Sequence, residues 1–320
     1  MRLFVTGAAG FIGSNYVRHV LATTDNAITA FDALTYAGNL DNLRSLNDNP
    51  RFTFVKGDIC DREAVTAAMA GHDAIVHFAA ESHVDRSIVD PDAFIRTNCD
   101  GTNVMCDVAR QFEVERFLHV STDEVYGSIE EGSFTESDPL DPRSPYSASK
   151  ASSDLIARAH YVTHELPVLI TRSSNNYGPY QFPEKIVPLF ATNLLDGHKV
   201  PVYGDGLNVR DWCFVADNCA AIDLVLRKGT VGEIYNIGAD NELTNRELTD
   251  AILGLLGCDE SMVEYVADRL GHDRRYSIDT SKVCSLGWSP RRQFDEALEE
   301  TIAWYRDNRW WWEPLKSGCR

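Results

Sequence analysis

Short, continuous apolar runs alternate along this chain with stretches whose apolar residues recur at helical spacing. The runs at 2–6, 27–31, 52–59, 74–78, 117–121 and 168–172 are rich in β-formers and show no polar alternation, the pattern of strands buried on both faces. Between them, 14–22, 62–70, 91–110 and 146–165 carry helical periodicity, as in Tyr16, Val17, Val20 and Leu21. Strand alternating with helix predicts an α/β fold with a doubly wound parallel sheet. After residue 177 the rhythm changes. Residues 182–185, 200–206 and 209–212 are marked by Pro, Gly and Arg and read as irregular. Residues 215–227 read as a helix, 234–237 as a strand returning to the sheet, 248–256 as a helix and 267–275 as a charged loop. The expected organisation is one domain of 1–177, with 213–240 returning to it. A smaller, discontinuous C-terminal substrate-binding domain would then comprise 178–212 and 241–320. Trp310-Trp311-Trp312, flanked by Arg309 and Glu313, reads as a tail packed on the core.

Charge narrows the partners. A net charge of −18 argues against a nucleic-acid or anionic-membrane binder. It leaves room for a small anionic substrate, because Arg210 or Arg274-Arg275 can reverse the field locally. No apolar run approaches the ~20 residues of a membrane span. Met1 to Gly7 enters a strand and glycine turn at once, so no signal peptide is expected. The eight cysteines form no C-x-x-C pair and read as reduced, buried thiols of a cytoplasmic protein.

The candidate chemistry sits where strands end. Gly7, Gly10 and Gly13, spaced G-x-x-G-x-x-G between the first strand and helix, allow a tight turn and close approach of backbone N–H groups to a pyrophosphate. Asp32 lies nineteen residues after Gly13, where a carboxylate accepts from an adenosine ribose 2′-OH and repels a 2′-phosphate. No basic residue follows in 35–40, so NAD is favoured over NADP. Asp58 reads equally as an adenine contact or as the cap of helix 62–70. His77 and His83 lack a third ligand at useful spacing, so no metal is expected. Strand 117–121 opens into Thr122-Asp123-Glu124, two adjacent carboxylates at the mouth of the sheet. Tyr146 and Lys150, four apart on a helix, share a face, and a cation beside a phenol favours its ionisation. Two such carboxylates should titrate as a coupled pair, one base and one acid.

The glycine loop, Asp32, Tyr146-x-x-x-Lys150 and the altered C-terminal rhythm together resemble the extended short-chain dehydrogenase/reductase family, with its Rossmann-type sheet. Within it the likeness is to the dTDP-glucose 4,6-dehydratases, carried by 35–40, 79–88, 121–127, 146–150, 174–185, 202–212, 235–238 and 271–278. Asp123-Glu124 after Thr122 is the specific mark, since epimerase relatives lack the pair and decarboxylase relatives keep only the glutamate. The resemblance implies that NAD is bound by Gly7, Gly10, Phe11, Ile12, Gly13, Asp32, Ala33, Leu34, Thr35, Asp58, Ile59, Phe78, Ala79, Ala80, Ser82, Thr97, Tyr146, Lys150 and Asn176. It implies that dTDP-glucose is held by Ser82, Thr122, Asn175, Lys185, Ile186, Pro201, Tyr203, Arg210, Asn245, Arg269 and His272. It also implies the roles. Tyr146, beside Lys150, takes the C4 hydroxyl proton, Glu124 takes the C5 proton, Asp123 donates to the departing C6 hydroxyl, and Thr122 bonds the C4 oxygen. The product is a 4-keto-6-deoxy sugar for deoxysugar biosynthesis. A homodimer through helices 91–110 and 146–165 is expected. Leu270 departs from the family's usual Pro and bears on the shape of its loop. The alternative is a 4,6-dehydratase, epimerase or decarboxylase acting on another nucleotide sugar.

Overall fold

The structure is a computed structural model and describes residues 1–269 and 271–318. Leu270 lies outside the described residues. The first half builds β1 (Arg2–Thr6), α1 (Phe11–Thr23), β2 (Ala27–Asp32), β3 (Phe52–Lys56), α2 (Arg62–Met69), β4 (Ala74–His77), α3 (Val84–Val89), α4 (Pro91–Phe94), α5 (Thr102–Gln111), β5 (Arg116–Thr122), α6 (Pro145–His164) and β6 (Val168–Ser173). The second half adds β7 (Asn175–Tyr177), α7 (Ile186–Leu195), β8 (Val200–Tyr203), β9 (Val209–Phe214), α8 (Val215–Lys228), β10 (Ile234–Ile237), β11 (Glu242–Thr244), α9 (Asn245–Leu256), β12 (Val263–Val266), α10 (Ser281–Ser285), α11 (Phe294–Asp307) and α12 (Arg309–Gly318).

Seven strands form one sheet in the order β10-β6-β5-β4-β1-β2-β3, and every pairing in it is parallel. This is the doubly wound Rossmann arrangement, and the strand order reverses beside β1 and β4, where such sheets leave a crevice. One face of the sheet buries Tyr16, Val20, Ile222 and Val225 of α1 and α8, and the other buries Val65, Met105, Val108 and Ala157 of α2, α5 and α6. A separate apolar cluster joins α7, α9, α11 and α12 through Phe190, Ile252, Ile302 and Trp312. Two small sheets, β11-β9-β7 and β12-β8, border it.

Several expectations are corrected. The stretch 91–110 is not one α-helix: residues Ile95–Gly101 widen into a π-helical segment between α4 and α5. Such segments often sit at functional sites, and here it sets Thr97 on the cleft and Asn98 against Glu81. Of the stretches read as irregular, 182–185 carries no regular element, but α7 follows it, 200–203 form β8 and 209–212 belong to β9. Their prolines disguise them: Pro188 falls in the first turn of α7, where a missing N–H is tolerated, and Pro201 sits on the short strand β8. β9 lies between β7 and β11 with five of its six residues buried, so its sequence shows no alternation.

The tryptophan tail packs as expected. Trp311 and Trp312 are buried and Trp310 is half-exposed. The Trp311 indole N–H donates to Asn42 Oδ1 (2.8 Å), and the Asn42 amide donates to the Ala9 carbonyl (2.8 Å), so α12 braces the glycine turn from behind. Trp311→Ala is expected to cost about 3–5 kcal/mol, the usual price of deleting a buried large aromatic. Equilibrium denaturation measures it, and a loss under about 1 kcal/mol would show that α12 adds little to the core.

Candidate active site

The glycine turn makes a cradle too tight for side chains. Gly7 has φ +64°, and a Cβ on it would lie 2.6 Å from the Ala79 nitrogen. A Cβ on Gly13 would lie 2.2 Å from the Gly7 carbonyl oxygen. Helix α1 starts at Phe11 with no side-chain cap, leaving its first N–H groups free for an anion. Asp32 closes β2, and its two oxygens accept from the N–H groups of Ala9 (2.9 Å) and Leu34 (2.8 Å). Burial pushes its carboxyl up, partly offset by those two donors.

This cradle opens into a cleft of about 430 Å³ that runs to the ends of β5 and β6. Lining it are all the predicted cofactor residues except Leu34, all five predicted catalytic residues, and Ser82, Thr122, Asn175 and Lys185 of the substrate set. Leu34, in the left-handed region at φ 57°, contributes its backbone N–H to Asp32 rather than a side chain to the cleft. Asp58 does not cap α2. That role belongs to Asp61, which accepts from Glu63 and Ala64. Asp58 accepts from the Cys60 N–H (2.9 Å) and pairs with Arg96 (2.9 Å); burial opposes its ionisation, but these partners hold its carboxyl below the usual range. His77 is a core histidine, its ring nitrogens engaged by the Thr6 (2.7 Å) and Thr102 (3.1 Å) hydroxyls.

At the far end, β5 delivers Thr122 and then a short 3-10 turn, Asp123–Tyr126, whose N-cap is the Thr122 hydroxyl accepting from Glu124 N–H (3.3 Å). Helix α6 is fixed at its start by a Ser144–Ser147 capping box with Pro145 in its first turn, which sets Tyr146 and Lys150 one turn apart. Lys150 Nζ donates to the Val120 carbonyl on β5 (2.8 Å). Burial pulls its ammonium down to about 8, while the charge of Asp154 holds it up.

The two carboxylates are pushed apart electrostatically. Asp123 is buried, its Oδ2 has no hydrogen-bond partner, and both burial and the charge of Glu124 push its carboxyl well above the usual range. Glu124 is raised by burial, but the cations Arg269, Lys185 and Arg210 pull it back. Without a cofactor, Tyr146 is not easily ionised. Burial and the charges of Glu124 and Asp123 push its phenol well above 10, and only the Thr122 hydroxyl opposes them. Within the protein alone Lys150 does not outweigh the carboxylates.

Seven predicted substrate residues lie outside the cleft lining: Ile186, Pro201, Tyr203, Arg210, Asn245, Arg269 and His272. Arg210 on β9 packs over the Tyr276 ring (4.1 Å) and donates to the Asp273 carbonyl (2.9 Å). Arg269 pairs with Asp85 (3.5 Å), and His272 with Asp268 (2.7 Å), leaving His272 Nε2 buried and unpartnered. Arg210 and Arg269 still act on Glu124 through space, as does Lys185, which donates to the Ser82 carbonyl (3.0 Å). Ile186 and Asn245 open α7 and α9, while Pro201 and Tyr203 sit on β8, apart from the carboxylates. Sequence reasoning missed Tyr36, Arg86 and Glu184. Arg86 stacks on the Tyr36 ring (3.9 Å) and reaches Glu184 (3.4 Å) at the cleft mouth. No short spacing links these three. It also missed Asp154, four residues after Lys150 on α6, whose spacing is visible in the sequence but whose burial is not.

A family model described as GDP-mannose 4,6 dehydratase matches residues 4–301. A dTDP-glucose 4,6-dehydratase of Streptomyces antibioticus is 58% identical over 323 aligned positions, covering 99% of this chain and 96% of that protein. The chain belongs to the dTDP-glucose 4,6-dehydratase family. A solved structure of another member, DesIV of Streptomyces venezuelae with NAD bound, is 56% identical with a TM-score of 0.97, covering 98% of this chain and all of that one. The scaffold is shared more widely: a Thermus thermophilus UDP-glucose 4-epimerase solved with NAD is 30% identical, with a TM-score of 0.89 over 96% of this chain and 100% of that one.

Asp123 is held at a cost to the fold. Asp123 is raised in the folded state, so its stability contribution is full below the unfolded carboxyl value of ~3.9 and is lost as pH rises toward the folded value. Asp123→Asn is therefore expected to melt higher than wild type at neutral pH, with the gain shrinking toward pH ~4. Thermal melts across pH measure this. A variant less stable at neutral pH would contradict the burial cost.

Proposed function

We propose that this chain converts dTDP-glucose to dTDP-4-keto-6-deoxyglucose and water, with NAD as a recycled cofactor. The reading rests on one observation: two adjacent carboxylates at the end of β5 whose surroundings push them apart, opposite Tyr146 and Lys150. Pairs of titratable groups separated in this way are the mark of an acid and a base sharing a site.

The protein fits the cofactor. The Gly7–Gly13 cradle has no room for side chains, Asp32 is pinned to meet a ribose hydroxyl, and Asn176 Oδ1 and Ser174 Oγ are buried without partners. Bound NAD supplies a hydride acceptor at C4 and returns the hydride at C6. The chain's own residues handle protons and charge. Tyr146 accepts the C4 hydroxyl proton; burial and the neighbouring carboxylates oppose its ionisation, so Lys150 and the positive charge of a bound cofactor would have to favour it. Thr122 hydrogen-bonds the C4 oxygen and so steadies the charge that develops there. The C4 ketone acidifies C5–H. Glu124, kept ionisable by Arg269, Lys185 and Arg210, takes that proton and gives one back to C5 when C6 is reduced. Asp123, kept protonated by burial and by Glu124, gives its proton to the C6 hydroxyl as it leaves. Lys185, Arg210, Arg269 and His272 would hold the diphosphate. Residues 1–177 with 213–240 serve the cofactor, and 178–212 with 241–320 serve the nucleotide sugar.

The same reading makes the protein a cytoplasmic homodimer. Among the described residues no helix is long and apolar enough to cross a membrane. Leu155 and Val162, seven apart on α6, are 58% and 68% exposed, with Val89 and Ile95 exposed nearby on the α3 and π-helical segments. A second copy of this face would cover them. Val162→Glu is expected to convert a dimer to a monomer in sedimentation. A wild type that already sediments as a monomer would refute the dimer.

Two measurements test the chemistry. Wild type should form the keto sugar, read by its alkaline absorbance, with no net accumulation of reduced cofactor, and a panel of dTDP-, UDP-, GDP- and CDP-glucose should favour dTDP. Asp123→Asn should slow water loss by about 10²–10⁴-fold while C4 oxidation persists, so reduced cofactor builds up. Equal loss of both steps would overturn the assignment of Asp123 as the acid.

A further inference from the structure

Two buried charges, Asp154 and Arg172, take no part in the proton transfers above. Asp154 is 2% exposed and follows Lys150 by one turn of α6. Its Oδ2 accepts from Arg172 Nε on β6 (2.9 Å), and its Oδ1 lies 3.3 Å from His119 Nε2 on β5. The next residue on β5, Val120, is the one whose carbonyl receives Lys150. Two cations and one carboxylate thus share the space between α6, β5 and β6, sealed from water.

We propose that Asp154 is a positioning residue for the reaction: it is the counter-charge that keeps Lys150 cationic behind Tyr146, while Arg172 and His119 hold its carboxylate in place. This rests on the reading of Tyr146 and Lys150 given above. A cation without a partner in a dry interior loses its proton rather than bear the cost of desolvation. The groups facing Lys150 are Tyr146 and Asp154 on α6, Cys99 on the π-helical segment, His119 on β5 and His77 on β4. Arg172 on β6 stands behind Asp154. Burial keeps the Cys99 thiol and the Tyr146 phenol protonated and both imidazoles neutral. Asp154 is therefore the anion of this set. Burial opposes its ionisation, yet His119 and Arg172 hold its carboxyl below the usual range. The geometry also explains why an ion pair sits beneath a parallel sheet, where an apolar pair would pack as well.

The test uses NAD-loaded wild type, Asp154→Asn, Asp154→Glu and Arg172→Gln. The first readout is the pH profile of keto-sugar formation. The second, independent of turnover, is the pH dependence of Lys150 acylation by an amine-directed reagent, mapped by mass spectrometry. In Asp154→Asn, both the alkaline limb and the onset of acylation should move to lower pH, with kcat at neutral pH down at least about tenfold and KM within about twofold. Asp154→Glu, which keeps the charge, should stay near wild type. Arg172→Gln should move both profiles to higher pH, because Asp154 then acts on Lys150 alone. Unmoved profiles in a folded Asp154→Asn protein, or shifts of the same sign in Asp154→Asn and Arg172→Gln, would overturn the proposal. If Asp154→Asn does not fold, the direction of the Arg172→Gln shift decides. A wild type that makes no keto sugar would instead overturn the functional reading, and the acylation profiles would still judge Asp154.

Discussion

Exclusion of water from the carboxyl end of the sheet governs this site. Asp123, Glu124, Tyr146 and Lys150 all sit where burial penalises their charged forms. Left to burial alone, all four would be neutral, and no proton could be removed from a sugar. Function depends on selective relief. Glu124 receives it from three cations reaching in from α7, β9 and the loop after β12, and Lys150 receives it from behind through α6. Asp123 receives the opposite, a like charge beside it. The cleft therefore holds two adjacent carboxyls with different electrostatic surroundings, a difference that the bare sequence, with its two similar side chains, does not express.

The sheet was legible because a parallel strand is buried on both faces and shows as an unbroken apolar run. That is why β1 to β6 and β10 lie within a few residues of their sequence assignments. The cofactor cradle was legible for a related reason. Close backbone approach demands glycine, and a ribose contact demands a carboxylate at the end of β2, so the chemistry is written locally. Helix α7 and strands β8 and β9 were not legible, because Pro188 and Pro201 break the expected signals while tertiary contacts supply the order. The π-helical segment was invisible for a similar reason: its residues form hydrogen bonds like any helix, and only the extra turn width sets it apart.

The cations around Glu124 mark the limit of local reading. Lys185, Arg210 and Arg269 lie far apart in the chain, and only the folding of the small sheets and the β12 loop brings them to one carboxylate. Their resemblance-based assignment as substrate residues drew on family likeness, because no spacing rule joins them. Asp154 is the reverse case. Its spacing from Lys150 was in plain view, but without Arg172 and His119 in place nothing separated it from a solvated helix residue.

The contact from Trp311 through Asn42 to the Ala9 carbonyl has a consequence for synthesis. Its ends lie far apart in the sequence, so it cannot form until α12 has been synthesised. The glycine turn leaves the tunnel before α12 does. Its outer wall arrives only when α12 emerges. A nascent or truncated chain then carries every residue of the cradle and yet holds it loosely, so firm retention of a dinucleotide becomes a late event in the birth of the protein.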